Sequence, residues 1–206
     1  FPAGPYLDTN VPPNSADIFG NNPDNFQPSG FCVHEPQLGV FDGSSSPTGT
    51  IFPANWLRPR FRFESIGNEN LFEIRLSAEK EIHDMVIYTL SKNWTMPDSL
   101  WNIIRTRVID VPITVTVRGV NMQTGSNIVG LRGQIMIAPV RAGGQMMYWA
   151  STSSEVRADT SLLVSLIVGD EKRVNALTIP QVGDRKVIQQ SGLALRDNKN
   201  KTQIPA

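Results

Sequence analysis

Cys32, His34, Glu35 and, far downstream, His83 are the residues in this sequence whose types come nearest to a metal-ligand set. Thiolate and imidazole are the donors that zinc favours. A Cys-x-His run with one distant His is not a paired-ligand spacing, however, so neither a metal nor any other cofactor is expected. Cys32 is the sole cysteine, which rules out an internal disulfide and a paired-thiolate or heme-attachment motif.

A second group of reactive types, Glu79, Glu81 and Asp84, sits in SAEKEIHDM. General acid and base catalysis needs carboxylates that converge in a cleft with separated pKa values. Lys80 interrupts this cluster, and the segment falls between two apolar runs, so it reads as a solvated loop. Ser, His and Asp are present without a nucleophile elbow, and no glycine-rich phosphate loop occurs. The chain is therefore expected not to be an enzyme and to take no small-molecule substrate.

Aromatic residues form the third set. Trp56, Trp94, Trp101 and Trp149, with Tyr88 and Tyr148, have faces suited to sugar rings as well as to a core. Trp101 falls at helical spacing with Ile104 and reads as core; Trp94 and Trp149 are divided between core and contact with a partner or glycan. Tyr6, Phe19, Phe26 and Phe31 punctuate a polar leader and, with Trp94 and Trp149, are the candidate partner contacts. Asn93-Trp94-Thr95 and Asn200-Lys201-Thr202 match the glycosylation acceptor pattern, which has meaning only in a secreted chain.

The elements that must position these residues follow from periodicity. Residues 1–48 are rich in Pro, Gly, Asn, Asp and Ser and show neither a period of 2 nor one of 3.6, so they read as an extended arm. Prolines fix φ along it and lower the cost of ordering it against a surface. The first basic residue is Arg58, and the leader carries Asp8, Asp17, Asp24, Glu35 and Asp42, so an acidic arm precedes a basic body in a chain of zero net charge. That asymmetry favours contact of the arm with its own body or with a neighbouring subunit. Nothing clusters Lys and Arg with aromatics, so nucleic acid is not an expected partner.

From residue 49 to 142 the pattern is a β-sandwich of immunoglobulin/fibronectin III-like kind. Phe61 and Phe63 alternate with Arg60, Arg62 and Glu64; Phe72, Ile74 and Leu76 alternate with Glu73, Arg75 and Ser77, which are expected outward. DMVIYTLS is a third strand without a clear face. A short helix follows, with Thr95 and Asp98 as a capping box, Pro97 in the first turn, and Leu100, Trp101, Ile103, Ile104 and Val108 at helical spacing. Ile113, Val115 and Val117 return to period 2, and GQIMIAPV closes the set. Past Gly143-Gly144, MMYWAS, SLLVSLIVG and RVNALTIP are three short strands of a second β unit over 143–180, like the opening of a propeller blade. Residues 181–206 read as an extended polar tail. The start at Phe1 and the lack of an apolar run of membrane length predict neither a surviving signal peptide nor a transmembrane segment.

The runs VHEPQLGVFDG, GTIFPANWLRPRFRF, NLFEIRLSAEKEIHDMVIYT, WTMPDSLW, VPITVTVRGV and GGQMMYWASTS resemble the amino-terminal part of large secreted or envelope proteins of myxobacteria and related deltaproteobacteria. In that family a sandwich module leads into a TolB-like β-propeller. The resemblance spans about residues 32–190. It implies a secreted, periplasmic or outer-membrane-associated location and a structural, protein-protein interaction role among other subunits of the bacterial envelope. Some relatives continue into a Cys-x-x-Cys-His segment that attaches a c-type heme; this sequence has no such motif, so no heme role passes to any residue. Two rival expectations stand beside the noncatalytic module: a carbohydrate-binding module of a secreted enzyme, and an accessory subunit of an envelope electron-transfer complex.

Overall fold

The computed structural model describes residues 1–28, 30–43, 47–65, 67–125, 127–151, 161–170 and 173–178. The polar tail 181–206, with Asn200, lies outside them. The chain divides into two compact units, Phe1–Ala142 and Gly143–Ala206.

The first unit is a mainly β sandwich. Its strands are β1 (Tyr6–Leu7), β2 (Phe31–Glu35), β3 (Ile51–Phe52), β4 (Arg60–Ser65), β5 (Leu71–Ala78), β6 (Met85–Thr89), β7 (Asn93–Thr95), β8 (Ile113–Val120) and β9 (Val129–Ile137). Two helices join them, α1 (Ser15–Phe19) and α2 (Asp98–Arg107). One sheet has the order β1-β6-β5-β8-β9-β3 and the other β2-β4-β7. The long central strands pair antiparallel; β1 and β3 are two-residue parallel additions at the two edges. Edges this short offer little backbone for further pairing.

Alternation along the strands builds the core between the sheets. Phe61 and Phe63 of β4 meet Phe72, Ile74 and Leu76 of β5 and Ile113, Val115 and Val117 of β8, all buried. The Phe63 ring lies 4.8 Å from Phe72 and 5.7 Å from Phe31. Helix α2 closes the same core with Trp101 and Ile104, one turn apart on its buried face. Asp98 in its first turn and Arg105 and Arg107 in its last complement the helix dipole. The expected capping box does not form: Pro97 is the N-cap residue and makes no side-chain cap. Thr95 is held instead in β7, opposite Arg60, so its backbone belongs to the sheet before the helix begins.

The leader, read from the sequence as an extended arm, contributes short elements of its own to the first unit. β1 pairs with β6, β2 pairs with β4, and α1 lies on the outer face of the six-stranded sheet, where Phe19 joins Leu71, Tyr88 and Val120 in a second core. Phe1 and Phe31 are buried in the main core. Of the two contacts open to an acidic leader, the structure has the one with its own body: Asp24 pairs with Arg132, and Glu35 with Arg60 and Arg62.

The second unit contains one antiparallel sheet, β10 (Gln145–Ser151), β11 (Ser161–Ile167) and β12 (Arg173–Thr178), in that order. Replacing Phe63 by Ala should destabilise the first unit by about 3–5 kcal/mol, because a fully buried ring is lost between two sheets that cannot close on the cavity. Ile82, 93% exposed, is the control: Ile82→Ser should stay within about 0.5 kcal/mol. Urea denaturation of both variants measures the difference, and equal midpoints would contradict the core assignment.

Candidate functional site

Two polar constellations rise from this framework, one on each side of the sandwich. The first crosses the outer face of the six-stranded sheet. Cross-strand register sets Tyr88, Glu73, Arg118 and Gly130 in one row over β6, β5, β8 and β9. Glu73 was expected outward; it does point away from Phe72 and Ile74, but α1 and the loop after it cover that face, and both Glu73 and Arg118 are 0% exposed.

Burying two charges this deeply is tolerable only when every polar atom is engaged. Arg118 donates to Glu73 Oε1 from Nε at 3.0 Å and from Nη2 at 2.8 Å, and Arg75 Nε donates to the same oxygen at 3.2 Å. Tyr88 Oη donates to Oε2 at 3.1 Å. The remaining Arg118 nitrogen, Nη1, donates to the carbonyls of Asn22 at 2.8 Å and Phe19 at 3.3 Å. The guanidinium also lies 5.2 Å from the Phe19 ring centroid. Gly130 makes room for it, since a Cβ there would come within 3.2 Å of Arg118 Cγ and 2.6 Å of the Val117 carbonyl. The chemistry of this row is structural: it fastens the strap 8–28 to the sheet. Arg75 carries the network outward to Asp84 at 3.0 Å.

The second constellation lies on the outer face of β2-β4-β7 and runs into a cleft beside it. Arg60 donates to Glu35 Oε2 from Nε at 3.0 Å and Nη2 at 2.8 Å, and Arg62 Nη2 stands 3.6 Å from Oε1. The Arg60 hydrogen bond, opposed by desolvation and helped by the charges of Arg60, Arg62 and His34, holds the Glu35 carboxyl below the usual range. The adjoining cleft has a volume of 360 Å³ and is lined by Glu35, Gln37, Thr50, Phe52, Trp56 and Arg60 among others. Trp56, 41% exposed, is the aromatic wall.

The sequence candidates distribute as follows. Phe19, Phe31 and Trp94 are buried in their own unit, which removes them as contacts for a partner. Tyr6 and Phe26 are half-buried, and Tyr6 packs 6.3 Å from Trp94. Trp149 belongs to β10, but its side chain lies outside the described residues. Trp101 is buried and donates from Nε1 to the Trp56 carbonyl at 3.0 Å. Cys32 and His34 lie on the exposed side of β2, with His34 3.4 Å from Glu64, while His83 is in the loop between β5 and β6. Among the described residues, no three His, Cys, Asp or Glu side chains gather into a metal-sized group. Glu81 pairs with the Phe1 amine and Arg107, and Asp84 with Arg75, so the loop carboxylates serve separate ion pairs. No helix among the described residues is long and apolar enough to cross a membrane.

Sequence reasoning missed the row at Glu73 and Arg118 and the meeting of Glu35 with Arg60. A usable signal existed for the first: RGV ends a strand otherwise made of Val, Ile and Thr, and its arginine lies opposite Glu73 once the two strands are paired.

Two measurements test the buried row. Arg118→Met should cost about 3–5 kcal/mol because it strands the Glu73 carboxylate, and adding Glu73→Leu should return more than half of that. Strictly additive losses in urea denaturation would refute the coupling. Burial, then the charge of Glu73 and the hydrogen bond to it, push the Tyr88 hydroxyl well above its ordinary value. An unfolded tyrosine releases its proton at about pH 10, so above that pH the unfolded state binds fewer protons than the folded one and stability must fall as pH rises. Tyr88→Phe should remove this part of the alkaline loss; unchanged pH profiles between wild type and variant would contradict it.

Comparison with protein-family models, with curated proteins and with solved structures finds no match for this chain.

Proposed function

We propose that this chain is a noncatalytic structural and interaction module of a larger extracytoplasmic assembly, in a secreted, periplasmic or outer-membrane-associated setting. The first unit is the rigid platform, and the sheet of the second unit is the surface offered to other protein subunits. One observation carries this reading. Met147 and Val174 flank Ser165 on one face of that sheet, Ile167 follows on the same face, and all three apolar side chains are 54–58% exposed. Met146, 54% exposed, stands on the other face, and apolar side chains exposed in this way gain free energy when another protein covers them. The open ladders of β10 and β12 favour the same outcome, because each has one paired neighbour among the described residues.

The first unit supports the reading in a different way. Its buried charges are spent on fastening its own strap, and both edges of its large sheet are blunted by two-residue strands. The extracytoplasmic setting rests on the resemblance of the motifs between residues 32 and 190 to envelope proteins.

The experiment is isolation of the tagged chain from its own source under native conditions, followed by light scattering after size exclusion. Wild type should elute with other subunits at a mass well above its own 22.8 kDa. The variant carrying Met147→Lys and Val174→Lys should elute alone, with the thermal transition of the first unit unchanged. Elution of the wild-type chain by itself, or continued assembly of the double variant, would remove the proposal.

A further inference from the structure

Trp56 lies on the segment between β3 and β4, and the backbone on either side of it is fixed at several points. Asn55 exchanges two hydrogen bonds with Ala142, donating from Nδ2 at 2.8 Å and accepting the Ala142 amide at 2.7 Å. Ala54 N donates to the Val140 carbonyl at 2.9 Å, and Trp56 N to Pro53 at 2.8 Å. The Trp56 carbonyl accepts from the indole of buried Trp101. One side of the Trp56 ring leans on Phe52, with centroids 6.2 Å apart. An apolar ring is thus held in place while 41% of its residue surface stays open.

Beyond the ring, Pro36, Pro59 and Phe52 keep most of the cleft surface apolar, and its polar groups gather at one edge. Arg60 donates twice to the single oxygen Oε2 of Glu35, each side chain half-exposed, so that the carboxylate is held ionised with the guanidinium beside it. Gln37, Thr50 and Arg58 add polar groups to the wall, and Thr50 N donates to the Gln37 carbonyl at 2.8 Å, which ties the two segments together. The 360 Å³ volume is at the small end of the roughly 300–1,000 Å³ typical of ligand pockets.

We infer that this cleft binds a saccharide of one or two rings. A sugar has an apolar C–H face and a rim of hydroxyls, each both donor and acceptor. The Trp56 ring matches the first, and the pair Glu35 and Arg60, an acceptor and a donor set side by side, matches adjacent hydroxyls on the second. A flat apolar ligand would leave that pair unsolvated without a new partner. A proline-rich peptide would need a second aromatic ridge, and Phe52, the other aromatic in the wall, is buried. The fixed loop and the pre-paired side chains remove most of the ordering cost of binding. This site belongs to the first unit alone and stands whether or not the second unit docks on other subunits.

The test uses the full chain, labelled for proton–nitrogen correlation spectra. It is titrated with glucose, galactose, N-acetylglucosamine and their β-1,4-linked dimers, with the Trp56 indole signal assigned from a Trp56→Phe spectrum. At least one of these sugars should move the Trp56 indole and Arg60 side-chain signals saturably and leave the Trp101 indole in place. Trp56→Ala, checked by its dispersed spectrum, should weaken that binding by about tenfold. Glu35→Gln, which keeps the shape and removes the charge, should weaken it as well. The inference fails if no sugar of the panel moves the Trp56 signal, or if Trp56→Ala binds as tightly as wild type. It also fails if a proline-rich peptide, and none of the sugars, produces the shift. None of these outcomes depends on Met147 or Val174, so failure here leaves the assembly reading as it was.

Discussion

The ion pair between Glu73 and Arg118 is the constraint on which the first unit depends. Both charges are taken fully out of water, and the arginine is completed by carbonyls at the end of α1 and in the loop after it. Without the strap 8–28 over them, the middle of the six-stranded sheet would be a charged face open to solvent, and Leu71, Val120 and Tyr88 would lose their cover. Without the pair, the middle of the strap would lie on the sheet through Phe19 and its aliphatic neighbours, with Asp24 on Arg132 and the backbone bonds of Asp8 and Gln27 holding the rest. Each makes the other tolerable. The sheet is therefore buried on both faces: on one by the second sheet and α2, and on the other by a leader whose composition suggests a loose arm.

A buried ion pair is a poor source of net stability, because desolvation offsets most of the attraction. Its effect here is on register. A slip of one residue along β5 turns every side chain to the opposite face, which would drive Glu73 into the slot held by Phe72 and Ile74 and away from Arg118. Apolar pattern alone also opposes such a slip, but less strongly on β6, where Met85, Ile87 and Tyr88 are all buried and the two faces differ little in polarity. Tyr88, hydrogen-bonded to Glu73 from β6, extends the same restraint to the strand that needs it.

Much of this fold was legible in the sequence, and what was not has a common cause. Alternation at Phe61 and Phe63, at Phe72, Ile74 and Leu76, and at Ile113, Val115 and Val117 specifies the strands and the face that builds the core. The 3.6 period at Trp101 and Ile104 specifies α2. Alternation labels a polar residue as facing away from that core, but it cannot tell solvent from a second cover. Glu73 and Arg118 were invisible for that reason. The helix α1 has five residues, too few to display a period, so the leader read as irregular. Thr95 carried the type and spacing of a cap, but strand pairing with Arg60 claimed it first. Trp56 was among the tryptophans whose faces suit a sugar ring as well as a core. The chemistry beside it was not, because Glu35 and Arg60 are brought together by antiparallel pairing of β2 with β4 across a break in register.

The two sides of the first unit use charge in opposite ways, and the difference follows from geometry. At Arg118 the guanidinium is enclosed, its donors end on Glu73 and on backbone carbonyls, and no direction is left for a ligand. At Arg60 the same fork meets a single carboxylate on an exposed sheet face, so the pair keeps one side toward water and toward the cleft that Trp56 closes. Enclosure makes the first pair sensitive to the loss of either partner, whereas solvent compensates for much of any such loss at the second. A surface whose charged pair can change without unfolding the sandwich is free to be shaped by what it binds. The buried row has no such freedom, and it supplies the rigidity that lets the exposed pair and its tryptophan hold their positions.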